Sequence, residues 1–212
     1  MKNKRESQKY KKFIELLNFN KGKYNATSVF NDFVVMFAIA IKNAVHFEQK
    51  YENTYLDIIQ KYSKQENKIF LQLVDELAFL LCGNNETKDV LGEIYQQIGA
   101  NSNGKGQVFT PTNIARFMAW SLIKKENFIN KEYISISDPS CGAGTMLIEA
   151  ANSLKQQGID YKNKVFMKGQ DLDFICVCMT YIQLSIYGIP SVVICGNSLT
   201  QENIATFYTP QF

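Results

Sequence analysis

The sequence predicts an α/β chain in two parts, a helical domain over residues 1–104 and a parallel-sheet domain over residues 105–212. Three observations carry this reading. Between about residues 27 and 125 apolar residues recur at mixed spacings of three and four with no alternating run, which is the period of helices. From residue 133 onward, short strand-like runs alternate with helical patterns. Between the two regimes, Gly99-Ala100-Asn101-Ser102-Asn103-Gly104-Lys105-Gly106 has the small, polar, glycine-rich composition of a linker, and the boundary is placed at Gly104.

The leading segment is basic. Residues 1–23 carry eight Lys/Arg against Glu6 and Glu15, or +6, so the remaining chain carries −3 of a net +3. Such a segment is either a solvated leading helix or tail, or an arm along a phosphate backbone, where each neutralised phosphate releases counterions. Thr27 or Ser28 is placed to cap a helix through Phe30, Phe33, Val34, Phe37, Ile41 and Val45. Its apolar run, residues 33–41, is half of what a bilayer span needs, so it is expected in a core and no membrane association is expected. A second helix over 69–81 stops at Cys82-Gly83-Asn84-Asn85, and a third covers 88–98.

After the linker, Thr110-Pro111-Thr112 opens a helix with Ile114, Phe117, Met118, Ser121 and Leu122 on one face. Its start is attributed to hydroxyl capping and to proline's tolerance in a first turn. Trp120, inside this helix, is expected in the core, as are Met146, Met167 and Met179. Strands over 133–137, 165–167 and 191–195 then alternate with helices over 145–156 and 174–187. That βαβαβ order argues for parallel strands joined by right-handed crossovers.

Composition narrows the chemistry. With 46% hydrophobic and 20% charged residues, the chain can bury a core. A single histidine, His46, removes His-dependent catalysis and most His-ligated metal sites. The cysteines at 82, 141, 176, 178 and 195 include no CxxC pair, so neither a metal nor a disulfide framework is expected, and the thiols read as reduced and mostly buried. The N-terminus has no secretory-signal pattern, which makes the cytoplasm the expected location.

The most informative stretch is Ile134-Ser135-Ile136-Ser137-Asp138-Pro139-Ser140-Cys141-Gly142-Ala143-Gly144-Thr145. A strand runs through a small-residue loop into a helix, the arrangement that places a ligand at a strand's carboxyl end in doubly wound sheets. No Gly-Lys-Ser/Thr follows, so this is not a phosphate loop, and Leu147 stands where a dinucleotide fingerprint needs its third glycine. Acids flank the loop in sequence: Asp138 before it, and Asp171 after the next strand in Gly169-Gln170-Asp171. An acid at the end of the second strand suits a ribose diol. An acid in the first loop, beside exposed backbone N–H groups, suits a ligand carrying both an ammonium and a carboxylate, and S-adenosylmethionine carries both. Structural alternatives stand beside each assignment: Gly142 and Gly144 for close helix–strand packing, Asp171 as the cap of the helix from Phe174, and Asp138 as the cap of the Pro139 turn.

Four motifs in order, Gly106-Gln107-Val108-Phe109-Thr110-Pro111, Asp138-Pro139-Ser140-Cys141-Gly142-Ala143-Gly144-Thr145, Gly169-Gln170-Asp171 and Gly196-Asn197-Ser198-Leu199, resemble the motif set of adenine-N6 DNA methyltransferases, most of all the modification subunit of type I restriction systems. The resemblance spans about residues 85–200. It implies a Rossmann-like S-adenosylmethionine-dependent core, incomplete at this length, behind a helical region. By the same resemblance, Phe109, Thr110 and Pro111 would surround the methionine end of the cofactor. Asp138, Gly142 and Gly144 would form the floor of that pocket, with Pro139 and Cys141 in the same loop. Asp171 would hold the ribose hydroxyls. Asn197 would face the adenine edge, where many relatives have an acid. Implied partners are double-stranded DNA and either a specificity subunit or a second copy.

The family's catalytic Asn/Asp-Pro-Pro-Phe/Tyr accepts hydrogen bonds from the adenine amino group and stacks an aromatic ring on the flipped base. Here the chain reads Thr209-Pro210-Gln211-Phe212, so Thr209, Pro210 and Phe212 are the candidate catalytic residues of a degenerate motif, with no apolar strand expected before them. Either the motif has degenerated or the working one lies beyond residue 212 or in a partner. The expectation is therefore an adenine-N6 DNA methyltransferase, truncated or degenerate. The rival is a catalytically silent cofactor- and DNA-binding assembly module. A methyltransferase for RNA, protein or a small molecule would share the loop and the ribose acid but not Gly-Gln-Val-Phe-Thr-Pro. With only three strands expected, the first would have an open edge unless the N-terminal helices, another copy or a missing segment lies beside it.

Overall fold

The computed structural model describes residues 9–83, 87–99, 109–128 and 131–212. The expected linker therefore lies mostly outside the described residues. In the leading part, α1 (Lys11–Leu17) buries Phe13 and Leu17. Lys9, Lys12 and Lys23 of the basic segment pair with Glu93, Glu76 and Glu66, so the described part of that segment is docked on its own chain. The long helix α2 (Ala26–Val45) is capped by Asn25, whose Oδ1 accepts from the Ser28 N–H at 2.7 Å. Thr27 and Ser28, the expected caps, lie within the first turn. Asn25 takes the role because its short amide reaches the third N–H of the helix. By length and composition α2 could cross a membrane, yet Phe30, Phe33, Val34 and Ile39 are buried in the protein. Two further helices, α3 (Gln49–Ile59) and α4 (Asn67–Cys82), pack with it, and the short α5 (Val90–Gln97) follows.

The second part opens with α6 (Thr112–Leu122). Pro111 occupies the cap position and no side chain caps the helix, which corrects the expected hydroxyl cap. Its apolar face is also turned outward: Ile114, Phe117, Met118 and Leu122 are exposed, and so is Trp120, at 65%. The expected core placement of Trp120 is thereby overturned. The small residues Ala115 and Ala119 are the ones buried, because they allow close packing on α7 (Thr145–Gln156).

The sheet order is β1 (Ile134–Asp138), β2 (Val165–Asp171), β3 (Ser191–Cys195) and β4 (Ala205–Tyr208). The first three strands are parallel, as expected. β4, which sequence reasoning did not find, returns antiparallel to β3. α7 links β1 to β2 along with the one-turn α8 (Tyr161–Lys164), and α9 (Phe174–Ile186) links β2 to β3. Residues 176–185 of α9 are all buried because the helix is pressed between the sheet and α2. A helix covered on both sides has no solvent-facing stripe, and its polar residues point into the protein.

The other face of the sheet carries Ser135, Ser137 and Tyr208, all exposed, and half-buried Phe166, Lys168, Ile194 and Thr206. Among the described residues β1 has one strand neighbour, β2. A groove of about 410 Å³ runs along its free edge between Met118 and Leu122 of α6 and Met146, Leu147 and Ala150 of α7. Buried side chains from Phe13 to Phe207 form one continuous apolar cluster that includes both parts of the chain.

Candidate cofactor site

Parallel strands bring the two acids of the sequence motif to the same end of the sheet. Asp138 ends β1 opposite Gly169, and Asp171 ends β2 opposite Cys195. Between them runs the loop 139–144. Its path needs Gly142 at φ +54° and Gly144 at φ +92°, a region side chains rarely adopt. A methyl group on Gly142 would lie 3.1 Å from the Phe109 ring, and one on Gly144 would lie 3.1 Å from the Thr180 hydroxyl. Both glycines thus serve the packing that the structural alternative proposed as well as the turn.

Asp171 does not cap α9; Asp173 does, accepting from the Ile175 N–H at 2.8 Å. The Asp171 carboxylate instead ties the loop down. One oxygen accepts from the Gly142 N–H and the other from the Asp173 N–H, each at 2.9 Å. A carboxylate has about four acceptor positions, so one remains on each oxygen, enough for two neighbouring hydroxyls. Asp138 is half-buried and accepts from the Ser140 N–H at 3.1 Å, which makes it also the cap of its own turn. Burial pushes its carboxyl above the usual aspartate range, the Asp171 charge adds to this, and the Ser140 hydrogen bond opposes it.

α7 starts directly after the loop, and Gly144 has no side chain with which to cap it. Its first-turn N–H groups therefore present a partial positive charge suited to a carboxylate. Cys141 is buried, with its sulfur 3.7 Å from the Thr180 hydroxyl, and burial pushes its thiol far above the ordinary range. It is a packing residue, not a nucleophile.

The other expected residues divide sharply. Phe109 is buried, its ring edge-on to Tyr95 at 5.7 Å and over Gly142, while Thr110 is half-buried and Pro111 and Pro139 are exposed nearby in sequence. Gly106, Gln107 and Val108 lie outside the described residues. Asn197, just past the carboxyl end of β3, turns its side-chain oxygen back to the Leu199 and Thr200 N–H groups.

Thr209, Pro210 and Phe212 are not brought to this end. Because β4 runs antiparallel, it carries them to the amino end of β3. There the buried Thr209 hydroxyl accepts from the Ser191 N–H and donates to the Ile189 carbonyl. Ser191 and Cys195 are four residues apart, so Thr209 and Asp171 sit about 13 Å apart along the strands. Pro210 is exposed, and Phe212 packs its ring on Phe166 and Tyr208 on the open face.

Three residues that hold the loop were not read from the sequence: Asp89, Thr180 and Gln183. Thr180 donates to the Gly142 carbonyl at 2.8 Å and Gln183 to the Ala143 carbonyl at 2.9 Å. The available signal was polar residues inside the apolar run Met179-Thr180-Tyr181-Ile182-Gln183-Leu184, since buried polar groups are there to be hydrogen-bonded.

Comparison with known proteins bears on the family and the fold. The Type I restriction enzyme MjaIX methylase subunit of Methanocaldococcus jannaschii is 30% identical over 150 residues, covering 66% of this chain and 25% of the relative. The chain thus spans about a quarter of the length of that relative. Among solved structures, the type I restriction-modification system methyltransferase subunit from Streptococcus thermophilus superposes with a TM-score of 0.50 at 20% identity, over 92% of this chain and 40% of that one. A Listeria monocytogenes protein assigned to the class I S-adenosylmethionine-dependent methyltransferases gives 0.50 at 16% identity, over 94% and 56%. These two likenesses bear on the fold, which is that of the methyltransferase core. The family described as N-6 DNA Methylase matches residues 86–211, more than half of the chain, and on that match the protein belongs to the N-6 DNA methylase family.

Proposed function

We propose that this chain is the S-adenosylmethionine-binding part of an adenine-N6 DNA methyltransferase of the type I restriction-modification kind, and that it does not methylate DNA unaided. The observation that carries the proposal is the pairing of Asp138 and Asp171 at one end of the sheet around a loop that feeds an uncapped helix. The donor set fits the cofactor: Asp138 for the ammonium, the α7 N-terminus for the carboxylate and Asp171 for the ribose diol. When bound, the cofactor supplies an activated methyl group for direct transfer to the adenine amino nitrogen. This chain's own residues bind and orient. Phe109, Thr110 and Pro111 would line the methionine end and Asn197 the adenine edge. Double-stranded DNA would be the substrate, a specificity subunit or a second copy the partner, and the cytoplasm the location.

Calorimetry with S-adenosylhomocysteine tests the binding half. The wild type is expected to give heat, and Asp171→Ala to bind about tenfold or more weakly, because hydrogen bonds to a charged group contribute ~1.5–3 kcal/mol. No heat for the wild type, or unchanged affinity in the variant, would sink the reading.

Acidification supplies a second check. The ammonium needs Asp138 ionised, and its carboxyl is raised, so affinity is expected to fall as pH drops through a range above the ordinary aspartate value. The stability of the ligand-free chain has the opposite sign at this group. Its share is full below the unfolded pKa and is lost as pH rises through the folded one. Asp138→Asn should flatten both dependences, measured by calorimetry and by thermal melts over a pH series from acid to neutral. An Asp138→Asn variant that kept the wild-type pH profile of binding would rule out the ammonium contact.

A further inference from the structure

Asp89 lies before the sheet part of the chain, just ahead of α5, yet it is 3% exposed. All its contacts are made inside the protein. One oxygen accepts from the Gly92 N–H at 2.8 Å and from the Gln183 side-chain amide at 3.0 Å, and the other accepts from the Thr145 hydroxyl. Gln183 completes the arrangement. Its oxygen accepts from the Val90 and Leu91 N–H groups at 2.7 and 3.1 Å, and its amide also donates to the Ala143 carbonyl. The first three N–H groups of α5 are thus satisfied by Asp89 and Gln183 together. Approach is close as well: a methyl group on Gly92 would fall 2.8 Å from the Ala143 side chain.

Such a group is costly to bury without a purpose. Burial pushes the Asp89 carboxyl up, and the hydrogen bonds from Thr145, Gln183 and Gly92 oppose that. Thr145 is the first residue of α7, and Ala143 stands between the two positive-φ glycines. The other ties on the loop come from β2, through the Gln170 carbonyl and Asp171, and from α9, through Thr180 and Gln183.

The structure assigns to Asp89 the role of positioning residue for the cofactor loop: a carboxylate supplied by the helical part fixes Thr145 directly and Ala143 through Gln183. The inference rests on the proposed function only in naming the ligand. Removing the carboxylate leaves the Thr145 hydroxyl and one Gln183 N–H without an acceptor in the core, so the loop can satisfy them only by moving.

Two readouts test this on the full chain: amide hydrogen exchange over residues 141–146, and S-adenosylhomocysteine affinity. Asp89→Ala is expected to speed exchange of the loop and weaken binding, each by about tenfold. Asp89→Asn should recover most of both, since the amide keeps an oxygen for Gly92 and Gln183, and its NH2 can donate to a rotated Thr145 hydroxyl. Leu73→Ala, in the fully buried core of α4, should lower thermal stability without moving either readout. Wild-type exchange and affinity in Asp89→Ala, or equal shifts in Leu73→Ala, would overturn the assignment. If Asp89→Ala does not fold, Thr145→Val deletes the same bond from the loop side and is judged by the same two readouts. A wild type that binds no ligand refutes the proposed function instead, while loop exchange still decides the role of Asp89.

Discussion

Rebuilding the family tetrapeptide by Thr209→Asn with Gln211→Pro should produce no methyl transfer. Tritiated-methyl incorporation into adenine-containing duplex DNA is expected to stay at background for the wild-type chain and for the double variant. The reason is position, not side-chain identity. Thr209 sits about 13 Å along the strands from the end that holds Asp138 and Asp171. A reacting group displaced by even 1 Å can lose a hundredfold in rate, so an error of this size leaves no catalysis to restore. The substitution should also destabilise the chain by roughly 1–3 kcal/mol, since a buried hydroxyl that bonds both the Ser191 N–H and the Ile189 carbonyl is replaced by a larger amide. Robust incorporation by either protein would refute the proposal that this chain does not methylate DNA unaided.

That contrast separates what the residues disclose from what they do not. The βαβαβ order, the strand over 191–195 and the shared end of Asp138 and Asp171 follow from local patterns, because a parallel crossover fixes which ends of the strands coincide. β4 is hard to read from sequence because Ala205-Thr206-Phe207-Tyr208 is short and runs directly into Thr209-Pro210-Gln211-Phe212, which resembles a loop motif. Its direction had one local signal: the nine residues between β3 and β4 are short for a parallel crossover, which takes about a dozen or more, and so favour an antiparallel return. Trp120 went astray for a different reason. Helical period identifies an apolar face but not what covers it, and here Ala115 and Ala119 face α7 while the aromatic side points outward. Asp89 and Gln183 were hidden because their partners in the loop, in α7 and in each other are about 40–95 residues away in sequence, a separation that periodicity cannot register.

Phe207→Ala is expected to produce the largest loss of stability and to show whether the chain unfolds as one body. Phe207 is fully buried. Its ring lies 5.4 Å from Tyr51 of α3, 5.2 Å from Tyr181 and 5.9 Å from Phe174 of α9, so it joins the helical part to the sheet through a single cluster of aromatic rings. Truncating a buried phenylalanine costs about 3–5 kcal/mol, a fifth or more of a stability of roughly 5–15 kcal/mol. For a chain of this length that corresponds to a fall in melting temperature of about 6–20 °C. Differential scanning calorimetry should show one transition in the wild type and one, shifted down, in the variant. The alternative is equally readable. If the boundary near Gly104 separated two independent domains, the scan would show two transitions and Phe207→Ala would move only the one belonging to the sheet. The helices would then melt where they did before. The continuous core from Phe13 to Phe207 argues for the first result, and so does the Asp89 bond to Thr145. The helical part would then be a structural wall of the cofactor site rather than an appendage to it.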